Sequence, residues 1–194
     1  DPEQPSLTFG LRGLTSIEVH VQGAITDLHS GHWGGTVHNP LQALSEILAK
    51  LHDESGKVAV PGFYDDVEDL TDTERDLLLK TVPNIEKEWA DVVQAPEHYG
   101  EPGYTVAERI GARPTLEING MVGGYIGEGL KTVLPAKAMA KISCRLVPNQ
   151  DPQTVANQVR DYILEVAPSG VSVEVTTLEA GAPAVKLDVE SVAM

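Results

Sequence analysis

The 194-residue sequence predicts an α+β fold, a two-layer sandwich in which two helices cover a four-stranded antiparallel sheet with ferredoxin-like connectivity. Three observations carry that prediction. Several segments alternate apolar and polar residues, the period-two mark of half-solvated strands. Two others repeat apolar residues at helical spacing behind an N-cap and a proline. In chain order these segments read strand, helix, strand, strand, helix, strand, with a helical insertion after the first helix.

Leu14 to Gly23 sets Ile17, Val19 and Val21 on one face and Glu18, His20 and Gln22 on the other, which is the first strand. A polar, glycine-containing loop follows from Asp27 to Gly35. Asn39-Pro40 supplies an N-cap and an N1 proline, and Leu41, Leu44, Ile47, Leu48 and Leu51 form one helical stripe ending near Gly56. From about residue 57 to 112 the pattern changes. Thr71-x-x-Glu74 and Thr105-x-x-Glu108 are capping boxes, and Pro61, Pro83, Pro96 and Pro102 break the chain around them, so this stretch reads as a helical, loop-rich insertion.

Strand patterning resumes at Thr115 to Asn119, and a glycine-dense turn, Gly120 to Gly129, leads into Thr132-Val133-Leu134-Pro135. Ala138, Ala140, Ile142, Cys144 and Leu146 then alternate with Met139, Lys141, Ser143, Arg145 and Val147 along a long strand. Asp151-Pro152 opens the second helix, with Val155, Val159, Ile163 and Val166 inward, and Val171, Val173 and Val175 mark the last strand. The domain is expected over residues 10–180. Residues 1–9 and 181–194 read as remnants of linkers, because the opening Asp1-Pro2 and the closing Ala193-Met194 resemble the ends of an excised segment.

The 29 acidic residues outnumber the 14 basic ones and give a net charge of −15. Such a field repels phosphate backbones, and no run of Lys and Arg offsets it along the sequence, so nucleic acid is an unsuitable partner. No apolar stretch approaches the roughly 18 residues that a membrane helix needs, and the expected compartment is the cytoplasm. Cys144 is the only cysteine; it sits in the alternating strand as a small buried hydrophobe, and it excludes both a disulfide framework and a cysteine-based zinc site.

Three places can carry chemistry. Asp27-Leu28-His29-Ser30-Gly31-His32, with His38 beyond, gathers imidazoles on one loop. It lacks the His-x-x-x-His helical spacing with glutamate that a zinc site uses, which leaves a non-metal functional histidine or an ordinary polar loop. Gly123 to Gly129 has the glycine count of a phosphate loop without its Lys-Ser/Thr ending, and is read as a flexible approach loop. Arg145 projects from a rigid strand, suited to a bidentate grip on a carboxylate or simply to solvent.

Taken together, Asp27-Leu28-His29-Ser30-Gly31 with Gly34-Gly35, Lys131-Thr132-Val133-Leu134-Pro135 and Arg145-Leu146-Val147-Pro148-Asn149 resemble the lid domain of the carnosinase and cytosolic non-specific dipeptidase group. That group belongs to the dizinc peptidase superfamily that also holds aminoacylase and acetylornithine deacetylase. Val60-Pro61-Gly62 adds to the likeness. The resemblance implies a divided enzyme. A catalytic domain holds two zinc (or manganese) ions and the general base, and the inserted lid caps the substrate, a peptide or acyl-amino acid, and forms a homodimer. It implies that His29 stabilises the oxyanion in a partner's active site, and that Thr132 and Arg145 bind the substrate's terminal carboxylate. No metal ligand and no cofactor is expected within this chain, which by itself is expected to be inactive. The alternative is a free-standing ferredoxin-like module that binds or senses a small molecule.

Overall fold

A computed structural model describes residues 10–178 and 181–187. In chain order they form β1 (Gly10–Leu11), β2 (Gly13–Gln22), β3 (Leu28–His29), α1 (Ser30–Trp33), α2 (Pro40–Ala49), α3 (Asp72–Thr81), α4 (Ile85–Val92) and α5 (Val106–Gly111). They continue with β4 (Thr115–Gly123), β5 (Val133–Leu134), β6 (Lys137–Leu146), α6 (Pro152–Val166), β7 (Ser172–Thr177) and β8 (Val185–Lys186).

The main sheet runs in the order β4-β6-β2-β7, antiparallel throughout. The first and third of its strands in sequence are therefore central and the second and fourth are at the edges, which is the ferredoxin-like arrangement the sequence predicts. The odd-numbered residues of β2 and the even-numbered residues of β6 turn toward the helices. Ile17, Val19, Ala140, Ile142 and Cys144 are almost wholly buried against Leu44 and Ile47 of α2 and Val159 and Ile163 of α6. Desolvation there pushes the Cys144 thiol up to about 12.

The capping signals act where the sequence places them. Asn39 accepts from the Leu41 amide at 2.9 Å ahead of Pro40, and Asp151 accepts from the Thr154 amide at 2.8 Å ahead of Pro152. Both capping boxes form, at Thr71/Glu74 and Thr105/Glu108. The insertion is helical as expected, carrying α3, α4 and α5. Arg113, two residues before β4, ties the loops of the insertion together: its guanidinium is almost buried, is gripped by both carboxylate oxygens of Glu101 at 2.8 Å, and stacks on Tyr104.

Three features differ from the sequence reading. Helix α2 stops at Ala49, short of Gly56, because Asp53 accepts from the amides of Ser55 and Lys57 and turns the chain instead. Strand β4 runs on to Gly123, because a bulge at Asn119 lets Gly120 resume pairing opposite Lys141. The polar loop after β2 contains a strand pair and a helical turn, described below. Residues 1–9 and 188–194, assigned to linkers, lie outside the described residues. Residues 181–187 are tied to the domain, since β8 pairs with β1 and Ala182 exchanges both backbone bonds with Leu14 at 2.8 Å. No helix among the described residues is long and apolar enough to cross a membrane.

Candidate functional site

The sheet has two ends, and the candidate residues divide between them. At the first end β2 finishes opposite the start of β6, with Gln22 paired to Lys137 and the Gly23 amide bonded to the Ala136 carbonyl at 3.0 Å. Beyond it, β3 and β5 form a two-stranded ribbon that pairs Leu28 with Leu134 and His29 with Val133. Asp27 fixes the base of the ribbon by accepting from the Ala136 amide at 2.9 Å. The Ser30 amide closes it on the Thr132 carbonyl at 3.1 Å. This is why the Asp27–Gly31 run and the Lys131–Pro135 run, far apart in sequence, meet in space.

The ribbon sets His29 at the N-cap of α1, where its Nδ1 accepts the Gly31 amide proton at 2.9 Å. An Nδ1 that accepts has no proton, so the neutral ring carries its proton on Nε2. That nitrogen faces outward, and its nearest partner is the hydroxyl of Thr132 at 3.3 Å. Both side chains are exposed, and the His32 ring flanks His29 with centroids 4.8 Å apart. The arrangement presents an N–H and a hydroxyl to solvent on a backbone fixed by hydrogen bonds. It can donate to an oxygen that gains negative charge.

These residues do not suit a metal. The one nitrogen of His29 turned inward is already used by a backbone amide. Among the described residues no three His, Cys, Asp or Glu side chains are grouped to hold an ion.

Arg145 stands at the other end. It lies one residue before the end of β6, paired with Leu14 and Thr115, and its side chain is exposed. Eight residue steps of β6, at roughly 3.4 Å each or about 27 Å in all, separate it from Lys137 and the ribbon beyond. His29 and Thr132 are thus brought together, and Arg145 is not brought to them.

Around Arg145 the structure reveals what sequence reading missed. A cleft of about 440 Å³ opens where the insertion meets this end of the sheet, lined in part by Arg12, Arg109, Arg113, Arg145, Glu101 and Glu117. Four of the chain's six arginines converge there although the chain carries −15 overall. They are spread over 133 positions of sequence, so no local run of basic residues signals them. Burial, and then the neighbouring charge of Arg145, lowers the pKa of Arg12 from its ordinary value.

Comparison with known proteins gives a consistent result. The sequence matches the family described as "Peptidase dimerisation domain" over residues 9–171. It is 38% identical over 165 residues to the Cys-Gly metallodipeptidase dug1 of Schizosaccharomyces pombe, covering 84% of this chain and 34% of that protein. It is 32% identical over 163 residues to the Beta-Ala-His dipeptidase of Homo sapiens, covering 84% and 32%. Among solved structures, human carnosine dipeptidase 1 superposes with a TM-score of 0.80 at 29% identity, covering 96% of this chain and 40% of that one. The dipeptidase Dug1p of Saccharomyces cerevisiae gives 0.80 at 28% identity, covering 95% and 39%. The chain spans about a third of the length of the curated relatives it matches.

Proposed function

Because this chain belongs to the peptidase dimerisation domain family, we propose that it is the lid of a homodimeric, metal-dependent dipeptidase, and that each active site draws on both lids. In this reading His29 and Thr132 of one subunit reach the active site of the other, while Arg145 serves its own. Two zinc or manganese ions, and the general base, belong to catalytic segments of a longer protein, as the metallodipeptidase relatives of roughly threefold length suggest. The substrate is a dipeptide or acyl-amino acid with a free carboxyl terminus, and the chain alone does not hydrolyse it. A free-standing binding module is not favoured.

The observation that carries the proposal is the separation of the two ends. A dipeptide extends about 7 Å at most. It cannot touch His29 and Arg145 of one chain across about 27 Å of strand. Symmetry supplies the remedy. Among the described residues edge strand β4 is paired on one side only, with β6, and its Ile118, Met121 and Val122 are 44%, 44% and 49% exposed. An antiparallel two-fold pairing of β4 with its copy sets the Gly123 end of one subunit beside the Thr115 end of the other. The His29–Thr132 end of one lid then faces the Arg145 end of its twin.

The chemistry follows from the groups. Attack on an amide carbonyl places negative charge on its oxygen, and the Nε2–H of His29 donates to that charge more strongly than to the neutral carbonyl. Removal of such a donor costs about 2.7–4 kcal/mol of transition-state stabilisation. The Arg145 fork binds the substrate carboxylate equally before and during reaction, so it acts mainly on binding. The test is kinetic, on the longer protein. His29→Ala should lower kcat with metal content unchanged, and Arg145→Ala should chiefly raise KM. Loss of metal in His29→Ala would contradict the assignment.

A further inference from the structure

The proposed role of Arg145 leaves its cleft with more positive charge than one terminal carboxylate needs. Four lining arginines face two glutamates, a surplus of two charges. Arg113 is neutralised within the protein by Glu101 on both oxygens and by Asp69 at 3.2 Å. Among the described residues no carboxylate pairs with the other three. Arg109 is held by main-chain carbonyls, Nε on Glu101 at 2.9 Å and Nη1 on Tyr99 at 3.2 Å. Arg12 is held the same way, its Nη1 donating to the carbonyls of Arg109 and Arg113 at 3.3 Å each. Among the described residues neither Arg12 nor Arg145 forms an ion pair.

The position of Arg12 follows from register. Leu14 lies opposite Arg145, so Arg12, two residues earlier, emerges beside it at the same end of the sheet. Its guanidinium is half-buried, tethered at one nitrogen, and kept near a like charge. That arrangement is unfavourable until an anion enters. Tethering by neutral carbonyls fixes the direction of the group without spending its charge, which stays available to a ligand.

We propose that Arg12 is a specificity residue that binds a second carboxylate, so that the cleft selects substrates whose C-terminal residue is acidic. The terminal carboxylate lies on Arg145 and the side-chain carboxylate of an aspartyl or glutamyl residue on Arg12. This rests on the assignment of Arg145 above.

The test compares kcat/KM of the longer enzyme for two dipeptides alike in their first residue, one ending in Glu and one in Ala. In the parent enzyme the Glu-ending substrate is preferred. Arg12→Met lowers the Glu-to-Ala ratio of kcat/KM by about tenfold or more, the worth of one charged hydrogen bond, and Arg12→Lys restores part of it. Arg145→Met depresses both substrates and leaves the ratio within about threefold. Titration of the 194-residue chain with glutarate and with acetate gives a second readout, in which Arg12→Met abolishes the preference for the dicarboxylate. An unchanged ratio in Arg12→Met, or equal loss on both substrates, overturns the proposal while leaving Arg145 intact. If Arg145→Met affects neither substrate, the underlying assignment fails instead.

Discussion

The Nε2 of His29 and the hydroxyl of Thr132 lie 3.3 Å apart although 103 residues separate them in sequence. The β3–β5 ribbon brings them together, and the Gly31 amide on Nδ1 decides which ring nitrogen faces out. The two strands of a short ribbon thus make one donor pair, and its geometry rests on backbone bonds rather than on side-chain packing.

That dependence predicts the effect of a single methyl group. A Cβ at Gly31 would stand 2.7 Å from Cε1 of His29, a separation that Cβ atoms essentially never show, so Gly31→Ala must displace the imidazole. Position 31 is exposed and the ring is not part of the core. In the longer enzyme kcat should fall by about 10²-fold, in the range for loss of one oxyanion donor, while the melting temperature of the variant stays close to the parent's. Stopped or steady-state kinetics beside a thermal melt check both halves.

Glu101→Ala should act on stability. It leaves Arg113, only 6% exposed, without its two-oxygen partner and with Asp69 alone. Leaving a buried charge with no partner costs about 3 kcal/mol or more, and the remaining Asp69 contact keeps the loss below that figure. The urea midpoint of the 194-residue chain should fall accordingly, and Arg113→Met in the same background should recover part of the loss.

Acid sensitivity should trace to Glu74. A hydrogen bond from Lys186 at 2.7 Å, and then those from the amide and hydroxyl of Thr71, hold its carboxyl down at about 2 from the usual 4.5. A group depressed in the folded state stabilises it above the unfolded value and loses that contribution as pH falls through the folded one. Stability should therefore decline between pH 4.5 and about 2, and Glu74→Gln should flatten that part of the profile. Urea titrations of both proteins across this window measure it.

Cys144 should be silent toward thiol reagents. It is 0% exposed and its thiol is pushed up to about 12, so almost no thiolate exists at pH 8. A disulfide exchange reagent should label one thiol per chain only after denaturant is added. Prompt labelling of the folded chain would contradict the burial.

The sheet and its two covering helices were legible because each strand buries one face, which forces apolar and polar residues to alternate. The Asn39-Pro40 and Asp151-Pro152 starts were legible because capping is local chemistry. Strand β4 outruns its alternating stretch at Thr115 to Asn119, since glycines at 120 and 123 look like a turn unless a bulge and a partner strand are known. The β3–β5 ribbon, two residues on each side, is too short to show a period. The loop of His29 and the strand position of Arg145 stand out in the sequence, but the roles given to His29, Thr132 and Arg145 come from family likeness, and spacing gives no hint that they occupy opposite ends of the sheet. Arg12 was invisible for a related reason: its partners in the cleft lie about 100 or more residues away, and only the fold assembles them.

Subunit mixing tests the shared active site most directly. His29→Ala and Arg145→Ala forms of the longer protein, each feeble alone, are unfolded or dissociated together and allowed to reassociate. If each site takes His29 from one subunit and Arg145 from the other, every mixed dimer holds one site with both residues intact, and activity returns. If both residues serve the same subunit's site, no mixed dimer has an intact site, and the mixture stays as inactive as its components.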